Sequence, residues 1–152
     1  MFKDFFKWHT LKAKIDKSPQ PVLFRAQEIW WCSVGANVGV ETNGKNALFE
    51  RPVLIFRKFN KDMFWGLPLT TQVKELKSFH FTFSLHQKSQ IAVLSQMRVY
   101  SSKRLIRRLG KVSDEQLVSL NKAIVRFITE TDPLRGPRVP NGNNRHHLTR
   151  RK

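Results

Sequence analysis

The sequence predicts a mainly β chain with added helices, an α+β fold built on a small barrel or sandwich. Three observations point there. Between residues 28 and 100, short apolar runs alternate with turn residues. Phe79-His80-Phe81-Thr82-Phe83-Ser84 alternates strictly, the pattern of a strand with one buried face, because successive side chains point to opposite sides. After residue 113 the spacing changes to that of a helix.

Taken in order, residues 2–16 read as a short amphipathic helix, with Phe2, Phe5, Phe6, Trp8, Leu11 and Ile15 on one broad side and lysines elsewhere. That side predicts packing on the domain or on a sister subunit; an anionic surface is the other partner its lysines suit. Ser18-Pro19-Gln20-Pro21 ends the helix and serves as a linker. Residues 1–20 are thus set apart from a domain spanning 21–132. Residues 29–34 form a strand, with Trp30 and Trp31 on opposite faces, and residues 35–50 a long loop rich in Gly and Asn. Residues 51–59 and 63–69 make a hairpin around Asn60-Lys61-Asp62.

Phe79, Phe81 and Phe83 are expected in the core, with His80 on the opposite face. Ile91-Ala92-Val93-Leu94 leads into Ser95-Gln96-Met97-Arg98-Val99-Tyr100. Residues 101–109 read as a short basic helix or turn closed by Gly110. Ser113 and Gln116 form a capping box for a helix over 114–130, whose Leu117, Leu120, Ile124, Phe127 and Ile128 recur on one face. Asp132-Pro133 stops it. Residues 133–152 carry basic groups and almost nothing apolar, so they are expected to form a disordered tail.

The formal charge of +17 over 152 residues concentrates polyanions around the chain and favours RNA, DNA, an acidic protein or an anionic membrane as partner. One cysteine, Cys32, excludes an internal disulfide framework, and its apolar surroundings predict a buried thiol. No run approaches the roughly 18 apolar residues of a membrane span, and the first residues lack the unbroken apolar stretch of a secretory signal. A cytoplasmic protein with no cofactor and no metal is expected; His146-His147 in the tail is a weak metal signal.

Two segments set phosphate-gripping groups at the ends of strand-like runs: Glu50-Arg51-Pro52-Val53-Leu54-Ile55 and Gly66-Leu67-Pro68-Leu69-Thr70-Thr71-Gln72. Arg51 offers a planar, permanently charged fork, and Thr70 and Thr71 offer hydroxyls. Upstream lie Glu28-Ile29-Trp30-Trp31-Cys32-Ser33-Val34-Gly35 and a loop containing Glu41, Gly44 and Lys45; downstream lies Ser95-Gln96-Met97-Arg98. Over residues 28–130 this series resembles the MazF/PemK family of toxins from bacterial toxin–antitoxin pairs.

The resemblance implies an SH3-like small barrel of the MazF/PemK/CcdB type with a C-terminal helix, here preceded by an added N-terminal helix. It implies a homodimer that cuts single-stranded RNA without a metal by attack of the 2′-OH, and that a cognate acidic antitoxin holds in check. Carried over by position, Arg51, Thr70 and Glu41 are the expected catalytic residues. Thr71, Gln72, Lys45, Gln96 and Arg98 are the expected RNA contacts, and Arg98, Lys103, Arg104, Arg107, Arg108 and Lys111 make up a basic cluster suited to an RNA backbone. The alternative is a non-catalytic module on the same barrel, binding RNA or inhibiting gyrase. Two features depart from the family pattern. Ser95 stands where many members carry a carboxylate, and Asn46-Ala47-Leu48-Phe49-Glu50 intervenes between Gly44-Lys45 and Arg51-Pro52. The longer loop leads one to expect a displaced Lys45.

Overall fold

The computed structural model describes residues 3–19, 22–72 and 75–130. Its elements are helix α1 (Phe5–Asp16), strands β1 (Glu28–Ser33), β2 (Glu50–Lys58), β3 (Met63–Thr70), β4 (His80–Leu85), β5 (Lys88–Val93), β6 (Arg98–Ser101) and β7 (Leu105–Lys111), and helix α2 (Asp114–Thr129). Six of the seven strands among the described residues run antiparallel in the order β4-β5-β3-β2-β1-β7. β6 pairs with the first half of β3, while the far end of β3 pairs with β5. One strand thereby serves two partners in succession, which curls the sheet around its own core.

The β2–β3 hairpin forms where predicted, and Asn60 Oδ1 accepts from the Asp62 N–H at 2.8 Å to tighten its turn. Both faces of the central strands are buried. Ile29, Leu54, Leu67 and Leu69 join Phe83, Leu85 and Leu94 in a cluster that α2 covers with Leu120 and Ile124. Trp30, Cys32, Val53 and Ile55 pack on the other side with Phe64, Tyr100 and Leu105. The α2 capping box is present in both directions: Ser113 Oγ accepts from Gln116 N at 3.2 Å and Gln116 Oε1 accepts from Ser113 N at 2.9 Å. Cys32 is fully buried, and burial pushes its thiol up to about 12. It is a packing residue and not a nucleophile.

One sequence expectation needs correction. Residues 105–111 form a strand paired with β1, preceded only by a single 3-10 turn over Ser102–Arg104. The basic side chains there look like a solvated helix face in sequence, yet Leu105 is buried and Arg107 and Arg108 pair with Glu50 and Glu28. Helix α1 forms and lies on the domain through Trp8, which is buried, with Leu11 and Ile15 half-buried on the same side; Phe5 and Phe6 are exposed, Phe6 at 83%, and Phe2 lies outside the described residues. Trp8 fits because Gly35 leaves it room. A Cβ at Gly35, where φ is +97°, would lie 2.4 Å from the indole ring. The expected disordered tail and the His146-His147 pair lie outside the described residues.

Candidate active-site cleft

Antiparallel pairing of β2 with β3 decides the site. Val53 faces Pro68 in the register, and the same register carried onward sets Arg51 across from Thr70. The Arg51 guanidinium is then fixed from two sides. Its Nε donates to the Asn43 carbonyl at 2.8 Å and its Nη1 to the Leu69 carbonyl at 3.1 Å. These bonds hold the fork in one orientation and leave its remaining N–H groups for a ligand. Partial burial pulls Arg51 below the usual arginine range, but a guanidinium stays charged in a protein.

Arg51, Lys45, Thr70 and Thr71 line one cleft of about 220 Å³, with Trp31 and Gln90 on its walls. Thr70 is at the strand end, where its hydroxyl donates to the Gln72 carbonyl at 3.0 Å and accepts from the Gln72 N–H at 3.3 Å. Lys45 is not displaced by the longer loop. Backbone bonds of 2.8 Å in both directions between Lys45 and Glu50 close residues 46–49 into a tight turn. Asn46 and Phe49 adopt positive φ to make it. The inserted residues are thus looped out, and Lys45 returns to the side of Arg51.

Other expected site residues lie elsewhere. Glu41 is exposed on the loop, and its Oε2 accepts from Val38 N at 3.2 Å, so it is not among the cleft-lining groups. The loop turns it away because Asn37 and Asn43 fold the segment onto itself: Asn37 N donates to Asn43 Oδ1 and Asn37 Nδ2 to the Thr42 carbonyl, both at 2.6 Å. Gln96 accepts from Thr42 N at 3.2 Å, which positions the loop that carries the Asn43 carbonyl. Arg98 donates to the Val34 carbonyl at 2.9 Å and lies 4.7 Å over the Tyr100 ring. Much of the basic cluster is likewise engaged: Arg104 donates to the Ser33 carbonyl and Lys103 to that of Asp16. Gln72 is exposed at the rim, and His80 Nδ1 accepts from Lys77 N in the turn before β4.

A further pair escapes sequence reasoning. Glu50, next to Arg51, is buried and lines the cleft. Arg107 of β7 reaches it with two bonds, Nη1 to Oε2 at 2.8 Å and Nη2 to Oε1 at 3.1 Å, while lying 4.7 Å over Trp31. The Arg107 hydrogen bonds outweigh burial and hold the Glu50 carboxyl below its ordinary range. Only the pairing of β7 with β1 brings residue 107 to residue 50, so adjacency of Glu50 to Arg51 was the one signal in sequence. With this pair mutually neutralised, Arg51 and Lys45 leave the cleft positive. A positive cleft with hydroxyls at its end is suited to one phosphate group.

The family model for the PemK-like, MazF-like toxins of type II toxin–antitoxin systems matches residues 25–128. The chain belongs to that family. Its fold is also that of solved MazF toxins. MazF from Deinococcus radiodurans, in crystal Form-I, superposes with a TM-score of 0.56 at 16% identity, covering 70% of this chain and 97% of that one. A Deinococcus radiodurans MazE-MazF crystal structure, Form-II, gives 0.54 at 14% identity, over 72% and 99%. The Mycobacterium tuberculosis toxin MazF-mt6 gives 0.50 at 17% identity, over 66% and 95%. No curated protein matches the sequence. For this MazF/PemK-family chain, the matched region begins after α1 and ends within α2. No helix among the described residues is long and apolar enough to cross a membrane.

Proposed function

We propose that this toxin is an endoribonuclease that cuts single-stranded RNA in the cleft between Arg51 and Thr70, using the RNA's own 2′-OH and no metal. The observation that carries the reading is the doubly anchored Arg51 guanidinium facing the Thr70 strand end, with Lys45 beside it. The scissile phosphate lies between these groups. The 2′-oxygen forms a bond to phosphorus as the bond to the 5′-oxygen breaks; the 2′-OH proton is released and the departing 5′-oxygen gains one. The products are a 2′,3′-cyclic phosphate and a 5′-hydroxyl. Arg51 and Lys45 neutralise charge that grows on the phosphoryl oxygens, and Thr70 and Thr71 hold the group in line. Both Glu50 oxygens are occupied by Arg107, so Glu50 orients Arg107 and does not serve as the free base.

The toxin works in the cytoplasm as a homodimer, and an acidic antitoxin segment silences it by covering the same positive cleft. Incubation with long single-stranded RNA in EDTA tests the reading. Discrete cuts with 5′-hydroxyl ends are expected. A second reading, a module that holds RNA without cutting it, draws on two observations: no free carboxylate among the described residues lines the cleft, and Ser95 is exposed in a 3-10 turn. Retention of RNA with no new ends would favour it.

A further inference from the structure

Beside the cleft lies a second and larger groove of about 900 Å³, walled by the start of α1 and the loop over residues 36–49. Lys45 and Arg51 line both spaces, so the two are continuous at the guanidinium. The helix side presents Lys3 and Lys7, with Asp4 the one acid among the described residues lining the groove, paired with Lys7 at 3.0 Å. Phe49 and the Asn46 amide line the loop side. The wall is fixed at three points. Lys3 Nζ donates to the Asn37 and Gly39 carbonyls at 2.7 and 2.9 Å, Trp8 packs 5.6 Å from the Phe49 ring, and Lys103 holds the Asp16 carbonyl at 2.6 Å.

We infer that this groove binds the stretch of single-stranded RNA flanking the cut, making α1 an extension of the substrate track. The inference rests on the ribonuclease reading of the adjoining cleft. Net positive charge along a channel with an aromatic side chain and amide groups suits a strand whose phosphates need cations and whose bases need a flat apolar face. An acidic peptide would find the same charge, but continuity with the phosphate cleft at Arg51 favours the nucleic acid. Helix α1 lies outside the family match, which begins at residue 25.

Paired substrates test it: a long RNA around one cut site and a minimal oligonucleotide that fills the cleft alone. The full chain should cut the long RNA with a kcat/KM at least about 10-fold higher than the short one. Lys7→Glu on one wall and Ala47→Glu on the other should each lower kcat/KM for the long RNA about 5–10-fold and leave the short one within about 2-fold. Lys7→Arg should behave as the unaltered protein. Equal losses on both substrates, or no loss on either, would overturn the groove and leave the ribonuclease reading standing. So would an acidic peptide whose binding follows these substitutions while RNA length has no effect. If the unaltered chain cuts no RNA at all, the ribonuclease reading fails and the groove with it.

Discussion

Arg51→Ala is expected to lower kcat/KM on single-stranded RNA by about a thousandfold, the scale of losing a preorganised donor at developing charge. The size follows from what Arg51 does in the fold. Its anchors on the Asn43 and Leu69 carbonyls aim the remaining donors into the cleft at no cost in the transition state. Arg51→Lys should recover little, since an ammonium has no planar fork with which to keep both anchors and still face a phosphate. Melting temperature measured alongside separates the causes. Loss of two hydrogen bonds from a half-buried side chain costs about 1–2 kcal/mol, a few degrees for a chain of this size. Activity retained within about threefold in Arg51→Ala would remove Arg51 from the chemistry.

Gly44→Ala is expected to have the largest effect among loop substitutions, on stability and activity together. A Cβ there would lie 1.7 Å from the Phe49 carbonyl oxygen and 2.0 Å from its carbon. Those are backbone atoms, and they cannot swing aside as a side-chain tip can. Relief requires opening the turn that the Lys45–Glu50 bonds close and breaking the bond from Gly44 N to the Gly35 carbonyl. A cost of about 2–4 kcal/mol follows. The movement also shifts Asn43, whose carbonyl grips Arg51, so cleavage should fall about 10-fold or more at temperatures where the fold survives. Gly39→Ala is the control: its Cβ meets nothing within 4 Å and only φ +55° opposes it, a cost of about 1 kcal/mol. Calorimetry and cleavage rates on both variants check the contrast. Equal melting temperatures for the two would refute it.

Local signals were legible in the sequence, and long-range pairings were not. The α2 capping box, the β2–β3 hairpin and the buried Cys32 follow from short patterns whose physics is local or simply apolar. Arg51 and Thr70 could be paired in advance because a hairpin fixes its own register. β7 could not be read the same way: Leu105-Ile106-Arg107-Arg108-Leu109 suits a helix or a strand by spacing alone, and pairing with β1 decides it. Of the two acids, Glu50 lines the cleft beside Arg51, while the Asn37–Asn43 bonds turn the loop that carries Glu41 outward. Gln96 and Arg98, expected RNA contacts from the family resemblance, also make long-range bonds that no local pattern shows: their partners, Thr42 N and the Val34 carbonyl, lie 54 and 64 residues away in sequence. Helix α1 follows its spacing only in part: Trp8, Leu11 and Ile15 turn toward the domain, while Phe5 and Phe6 are exposed.

The most direct test of the central claim, attack by the substrate's own 2′-OH in the Arg51 cleft, uses one altered substrate. At a mapped cut position, a single 2′-deoxy nucleotide replaces the ribonucleotide, and cleavage and binding are followed in EDTA. The account predicts undiminished binding and no cleavage at that position. Continued cleavage there would contradict it, because the bond would then be broken by a nucleophile other than the one this cleft is built to align.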